Sequence, residues 1–171
     1  KENVAPDCDC FVNIDPFYGN SKNRILIRYA DVILMRAEAL IELGRHKEAL
    51  PLINQIRNRA SQSTSLIDDY ATNTNVALYE DGVNCNWTQD FARKAMRFER
   101  RLEFAMEGNR FFDLVRWGVA GDVLNTYYEE EKSKRIYYSE AHFDTAAEEY
   151  CPIPLAQINF SRNVYKQNVG Y

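Results

Sequence analysis

The segment IRYADVILMRAEALIELG, residues 27–44, constrains the fold more than any other stretch of the chain. Its apolar residues return at intervals of three and four, which is the repeat of one face of an α-helix. Gly44 follows the last of them, and glycine is common just beyond a helix C-terminus. We therefore expect an amphipathic helix whose buried face consists of Ala30, Ile33, Leu34, Ala37, Leu40 and Ile41.

A second helix is predicted from RHKEALPLINQIRNRA, residues 45–60, and Pro51 fits it only near its first turn or as a kink. Its inward-facing residues are Ala49, Ile53 and Ile56. The two helices would form a hairpin over residues 25–60 that resembles a tetratricopeptide repeat, with small residues where the helices cross. About three such hairpins are needed to bury a continuous core. Either other helices of this chain cover the hairpin, or further repeats lie upstream in a longer protein.

A long helix is predicted to begin near Asp90, with Asp90 itself or Thr88 as its N-cap. Its expected apolar face consists of Phe91, Ala95, Phe98, Leu102, Ala105 and Met106. A second short helix, NRFFDLVRW, follows Gly108. Residues 61–89, between the hairpin and the long helix, have no sustained periodicity and are predicted to form a long loop.

Three glutamates of the long helix, Glu99, Glu103 and Glu107, recur at every fourth position. Like charges at this spacing disfavour a helix, so the carboxylates need cationic partners. We expect these partners to be Arg110 and Arg116, which follow in the sequence. Glycosidases use two carboxyl groups roughly 5–9 Å apart as their catalytic groups. Any two glutamates four residues apart on a helix meet this distance, so the spacing is weak evidence for catalysis. We favour a structural ion-pair network and predict no catalytic residue.

The ends of the chain carry weaker patterns. Residues 1–24 have the composition of loops, and DVLNTYYEEEKSKR is helical in composition with a solvated run of charges. Pro152 and Pro154 argue against a helix in the last segment, which is expected to be extended and rich in turns.

Composition excludes several classes of protein. The net charge is −4 and no segment forms a basic stripe, so nucleic acid is not predicted as a partner. No apolar run of membrane-spanning length occurs. Of the four cysteines, Cys8 or Cys10 is expected to pair with Cys85 rather than with each other. No C-x-x-C motif occurs, so neither a metal site nor a cofactor is predicted. The chain does not begin with Met, and we expect it to be a fragment or a trimmed mature chain.

Five segments in order resemble the SusD/RagB family: RYADVILMRAEALIELG, INQIRNRA, ERRLEFAMEGNRFFDLVRWG, CPIPLAQI and QNVGY. As a set they cover most of Ile25 to Tyr171, and the tail departs only in having Val169 where proline is common in the family. The resemblance implies a mainly α fold that is the C-terminal part of a larger SusD-like α-solenoid. We therefore expect residues 1–171 to form a single domain, with the hairpin at 25–60, the loop at 61–89 and the C-terminal region at 90–171.

The resemblance also implies a function. SusD/RagB proteins are glycan-binding lipoproteins of the outer membrane in Bacteroidetes, and they are not enzymes. The expected partners are an oligosaccharide or polysaccharide and a TonB-dependent outer-membrane transporter. The expected location is the cell surface, with a lipid anchor on an N-terminal Cys that this chain lacks. A protein-interaction scaffold of the tetratricopeptide type is the alternative, and a glycosidase is a weaker one.

A candidate sugar-binding site lies in the predicted loop at 61–89. Sugars bind to exposed aromatic faces flanked by amides and hydroxyls, because their C–H faces are apolar and their hydroxyl rims need hydrogen bonds. We predict that Trp87 is at least partly exposed and stacks on a sugar ring. Tyr79 would be a second platform and Asn84 a hydrogen-bond partner. The alternative is that Trp87 only anchors its loop to the core.

Overall fold

The structure is a computed structural model that describes residues 11–14, 17–20, 25–62, 76–162 and 164–171. In these ranges the chain is mainly α-helical, which confirms the predicted fold class. It divides after Glu103 into two compact units, which we call the N-terminal unit and the C-terminal unit. The assignment of residues 1–171 to a single domain stays a prediction. No helix in the described ranges is both long enough and apolar enough to cross a membrane.

The N-terminal unit begins with a small antiparallel hairpin of strands. Strand β1 (Phe11–Ile14) pairs with β2 (Phe17–Asn20), and Phe11 lies opposite Asn20. The prediction that this part of the chain is only loop is therefore wrong. The strands have four residues each, and FVNI and FYGN do not alternate apolar with polar residues, so periodicity gives no strand signal here.

Helices α1 (Tyr29–Glu42) and α2 (His46–Ser61) form the predicted hairpin. All nine residues that periodicity assigned to the inner faces of the two helices are buried. Gly44 has φ of +76°, and the amide N–H groups of Gly44 and Arg45 donate to the carbonyls of Ile41 and Leu40. These two bonds form a Schellman motif, which ends α1 and turns the chain into α2. Pro51 lies inside α2, where it cannot donate to the carbonyl four residues earlier.

Helix α3 (Gln89–Glu103) completes the core of the N-terminal unit by packing on α1 and α2. The Thr88 hydroxyl accepts a hydrogen bond from the Phe91 amide at 3.3 Å and caps the helix, as predicted. The predicted apolar face is confirmed at Ala95 but wrong at Phe98 and Leu102, which are half exposed, and at Met106, which lies fully exposed beyond the helix end. The buried residues of the helix are Ala92, Ala95, Met96, Glu99 and Arg100.

The C-terminal unit contains α4 (Arg110–Arg116), α5 (Ala120–Lys132), a short 3₁₀ helix (Ile136–Tyr138) and α6 (Leu155–Phe160). Its small core consists of Leu114, Ala120 and Phe143. Helix α6 contradicts the prediction that the last segment has no helix. It begins directly after Pro154, whose φ of −54° suits a helix start and whose missing N–H is not needed there.

Candidate ligand-binding site

The structure places Trp87 in the core of the N-terminal unit. Its side chain is 2% exposed, and its indole N–H donates to the carbonyl of His46 at 2.8 Å. The ring centroid lies 5.3 Å from that of Tyr79 and 5.7 Å from that of Phe91. The prediction that Trp87 is exposed is therefore wrong. Burial removes the large apolar area of the indole ring from water, which is favourable, and one carbonyl satisfies its only hydrogen-bond donor.

Tyr79 is half buried beside Trp87, and the Arg57 guanidinium lies 4.5 Å from its ring centroid. Its backbone is clamped by Asn54, whose side chain accepts from the Tyr79 amide and donates to the Tyr79 carbonyl. Burial raises the pKa of the Tyr79 hydroxyl, and the positive charge of Arg57 opposes this effect. Tyr79 is thus held as part of the loop scaffold, and its role in ligand binding stays a prediction.

Asn84 is exposed, as a ligand-contacting amide would be. Its side-chain carbonyl accepts from the Glu80 amide at 2.9 Å, and its amide nitrogen donates to the Leu78 carbonyl at 2.7 Å. Both functional groups of the side chain therefore close the turn that contains them. Its contact with a ligand stays a prediction.

Two of the three predicted glutamates, Glu99 and Glu103, lie in α3, and arginines of the helical hairpin neutralise them. Glu99 is 4% exposed and pairs with Arg57 at 2.8 Å. Glu103 accepts from Arg28 at 2.8 Å and from Arg59 at 2.7 Å. The network is structural, as expected, but the predicted partners for these two carboxylates were wrong. The helices bring together residues that are 42 to 75 positions apart in sequence.

The charged residues of α4 form local contacts within the C-terminal unit. Arg116 donates to the Asp113 carboxylate at 2.9 Å. The guanidinium groups of Arg110 and Arg116 lie 5.9 and 4.9 Å from the centroid of the Trp117 ring. The motif that contains these residues therefore combines an ion pair with cation–π contacts. These contacts give it a structural part in the unit.

A pocket of about 330 Å³ lies between α2 and α3. Its apolar wall includes Phe98 and Leu102, and its polar lining includes Arg57, Glu99 and Glu103. Each of these three charged side chains is already engaged in an ion pair. The pocket therefore offers a hydroxyl-rich ligand mainly an apolar wall.

The described cysteines and acidic groups do not form a metal site. Among the described residues, Cys85 and Cys151 are free thiols that do not pair with each other, and the predicted disulfide of Cys85 with Cys8 or Cys10 stays a prediction. Cys8 and Cys10 lie outside the described residues. Across the ranges that the structure describes, no three His, Cys, Asp or Glu side chains gather as metal ligands.

An exposed group of aromatic side chains occurs in the C-terminal unit. We define the tyrosine cluster as Tyr127 and Tyr128 of α5 with Tyr137 and Tyr138 of the 3₁₀ helix. The ring centroids of neighbouring members lie 4.7 to 5.9 Å apart. Tyr137 is 69% exposed and Tyr127 is 41% exposed, whereas the other two rings are partly buried. The cluster therefore exposes two tyrosine side chains to solvent beside two that are partly buried.

The base of the cluster is joined to the core of the C-terminal unit. Tyr128 packs against the core of Leu114, Ala120 and Phe143. One helical turn before the cluster, Asn125 accepts from the Phe143 amide at 2.8 Å and donates to the Phe143 carbonyl at 3.0 Å. These contacts hold α5 against the segment that follows the 3₁₀ helix. The rings are thus positioned before any ligand arrives.

Hydroxyl groups form the polar part of the cluster. Arg135 donates to the Tyr137 hydroxyl at 3.1 Å. Interaction with the Tyr138 hydroxyl raises the pKa of Tyr127 above its ordinary value. A phenol pKa of about 10 already keeps the proton on the hydroxyl at neutral pH. A phenol that keeps its proton both donates and accepts hydrogen bonds. The cluster therefore combines exposed ring faces with the groups that a sugar hydroxyl needs.

Sequence reasoning missed this cluster, although the signal is visible as two Tyr–Tyr pairs ten residues apart in TYYEEEKSKRIYY. The charges between the pairs led to the interpretation of a solvated surface. The turn after α5 brings the second pair back onto the first. Repeated aromatic pairs on both sides of a predicted helix end are the pattern that could have shown it.

The model of the SusD family matches residues 13–171.

This chain belongs to the SusD family.

Similar proteins agree with this assignment. SusD-like protein P38 of Formosa agariphila is 41% identical over 113 residues, which are 66% of this chain and 20% of that protein. SusD-like protein P2 of the same organism is 26% identical over 153 residues, which are 89% of this chain and 26% of that protein. The crystal structure of a SusD homolog from Bacteroides thetaiotaomicron is 28% identical with a TM-score of 0.71, covering 93% of this chain and 29% of the other. The chain thus spans a fifth to a quarter of the length of these curated relatives.

Proposed function

We propose that this chain is part of a non-enzymatic protein that captures glycans for nutrient uptake. The observation that supports this proposal is the family match over residues 13–171, since proteins of the SusD family bind glycans. The buried carboxylates agree with a binding protein: Glu99 and Glu103 are held by arginines and are not placed as free acid and base groups.

A glycan array with the full-length protein tests the proposal. We expect binding to at least one oligosaccharide class, and no release of shorter products on long incubation with the bound glycan. An array without signal would contradict glycan capture. Release of reducing ends would contradict the absence of catalysis.

We further propose that the protein acts at the cell surface with a TonB-dependent transporter, anchored by a lipid on an N-terminal Cys of the parent protein. This proposal rests on family membership alone. Affinity purification of the tagged full-length protein from outer membranes should recover such a transporter. Recovery of the tagged protein without the transporter would argue against the partnership.

Protein contact through α1 is a second candidate function. Tyr29, Val32, Met35 and Leu43 leave an apolar surface on this helix that is 43 to 73% exposed. Apolar surface in this amount is typical of helices that pack against a further repeat or a partner. A protein scaffold should give no signal on the glycan array, which separates the two candidates.

A further inference from the structure

We propose that the tyrosine cluster of the C-terminal unit is a binding platform for a neutral sugar ring. The inference rests on the proposed glycan capture and assigns it to particular residues. Tyr137 and Tyr127 would contact the sugar, and Tyr128 and Tyr138 would support them. Unlike Trp87, which is buried, the cluster has exposed aromatic side chains that a ligand can reach.

The geometry of the rings supports stacking. The Tyr137 ring lies 4.7 Å from that of Tyr138, and the Tyr127 ring lies 5.8 Å from that of Tyr138. Neighbouring aromatic side chains restrict one another, so less conformational entropy is lost when a ligand binds. The C–H face of a pyranose is apolar and flat, and covering an aromatic face with it removes apolar area of both partners from water.

The hydroxyl groups of the cluster add hydrogen bonds at the edge of the sugar. The Tyr137 hydroxyl accepts from Arg135 and retains its own proton to donate. The Tyr127 and Tyr138 ring centroids lie 5.8 Å apart, and each of these hydroxyls can both donate and accept a hydrogen bond. Alternating donors and acceptors match the ring of hydroxyls on a sugar.

The charges beside the cluster favour a neutral glycan. Each nearby cation is paired with a glutamate: Arg135 and Lys134 with Glu131, and Lys132 with Glu129. An anionic sugar would compete with these carboxylates for the cations and would face their negative charge. A neutral sugar meets neither penalty.

The test uses the full-length protein and a panel of neutral hexasaccharides of gluco, manno and xylo configuration, with an oligogalacturonate as the anionic member. Calorimetric titration first identifies a hexasaccharide that the wild type binds. The same titration is then made with Tyr137→Ala, with Tyr137→Phe and with the control Tyr150→Ala. Tyr150 is the same residue type in the same unit and is equally exposed, at 67%.

We expect Tyr137→Ala to weaken binding roughly ten-fold or more, as loss of an aromatic stacking partner does for nucleobases. Tyr137→Phe keeps the ring face and should lose much less. Tyr150→Ala should bind as the wild type does. Unchanged affinity of Tyr137→Ala, or an equal loss in Tyr150→Ala, would overturn the platform. Preference for the oligogalacturonate would overturn the neutral ligand.

A second measurement does not depend on the folding of variants. N-acetylimidazole acetylates exposed tyrosine hydroxyls, and mass spectrometry locates the modified residues. Bound hexasaccharide should protect Tyr137 and Tyr127 of the wild type and leave Tyr150 reactive. A wild type that binds no glycan in any assay would contradict the proposed function itself. A wild type that binds while Tyr137 stays unprotected would contradict the platform only.

Discussion

Removing the cation from the buried Arg57–Glu99 pair should destabilise the N-terminal unit strongly. The two side chains meet at 2.8 Å and are 14% and 5% exposed. Arg57 also donates to the Ala77 carbonyl at 2.7 Å and lies over the Tyr79 ring. In Arg57→Met the Glu99 carboxylate would stay buried without its cation. Breaking a buried pair in this way costs about 3–5 kcal/mol.

The magnitude can be measured as a shift in melting temperature. For a chain of this size, 1 kcal/mol corresponds to roughly 2–4 °C, so Arg57→Met should lower the melting temperature by roughly 6–20 °C. The double variant Arg57→Met, Glu99→Met should recover most of the loss, because no buried charge remains. Differential scanning calorimetry of Arg57→Met, Glu99→Met and the double variant completes the double-mutant cycle, which measures the coupling between the two side chains.

An exposed ion pair of the same length provides the control. Arg45 and Glu48 meet at 2.7 Å, but their side chains are 55% and 56% exposed. Water screens this pair, so Arg45→Met should melt close to the parent protein. Equal shifts for Arg57→Met and Arg45→Met would refute the reasoning, because burial would then not decide the effect. A double variant that is as unstable as the sum of the single variants would also refute it.

Three further predictions concern the helix ends, pH and the C-terminal unit. Gly44→Ala should lower the free energy of unfolding by about 1 kcal/mol in urea titration, since φ is +76° and a methyl group there meets no neighbour within 4 Å; no loss would mean that the turn relaxes. The raised pKa of Tyr79 means that the folded state holds this proton more tightly than the unfolded state, whose pKa is about 10. The stability that the Tyr79 proton contributes is complete below about pH 10 and is lost as the pH rises through the folded-state pKa. Above about pH 10, the wild type should therefore lose stability more steeply than Tyr79→Phe. Asn125→Ala removes both hydrogen bonds to the Phe143 backbone and should cost about 1–3 kcal/mol, while Thr126→Ala on the solvent side of the same helix should unfold at nearly the parent's urea midpoint.

Helical periodicity worked where small and aliphatic residues face a neighbouring helix. The buried positions of α1 and α2 followed from spacing alone, and Gly44 predicted the turn between them. The same logic failed on part of α3, where it placed Phe98 and Leu102 inside and did not predict that Arg100 is buried. The hydrophobicity of a residue does not show whether an arginine from another helix will pair with a carboxylate and allow it to be buried.

The burial of Trp87 and the tyrosine cluster were both missed for a related reason. Trp87 lies in a polar stretch of sequence, so its neighbours suggested an exposed loop. Its burial depends on Tyr79, Phe91 and the His46 carbonyl, which only the fold brings to it. The tyrosine cluster was not predicted because the charged residues between the two tyrosine pairs suggested a solvated surface, although the rings meet in the folded structure.

The amino-acid sequence alone determined the helical hairpin, because this depends on local periodicity and on residues a few positions apart. It also indicated the family and its helical class, through the resemblance of five segments along the chain. Only the tertiary structure decided which charges are buried, which aromatic rings are covered and which remain exposed. These outcomes depend on contacts between residues such as Arg28 and Glu103, which are 75 positions apart. Burial is a property of the assembled surfaces, and the free energy of a charge or a ring depends on the partners that assembly places around it.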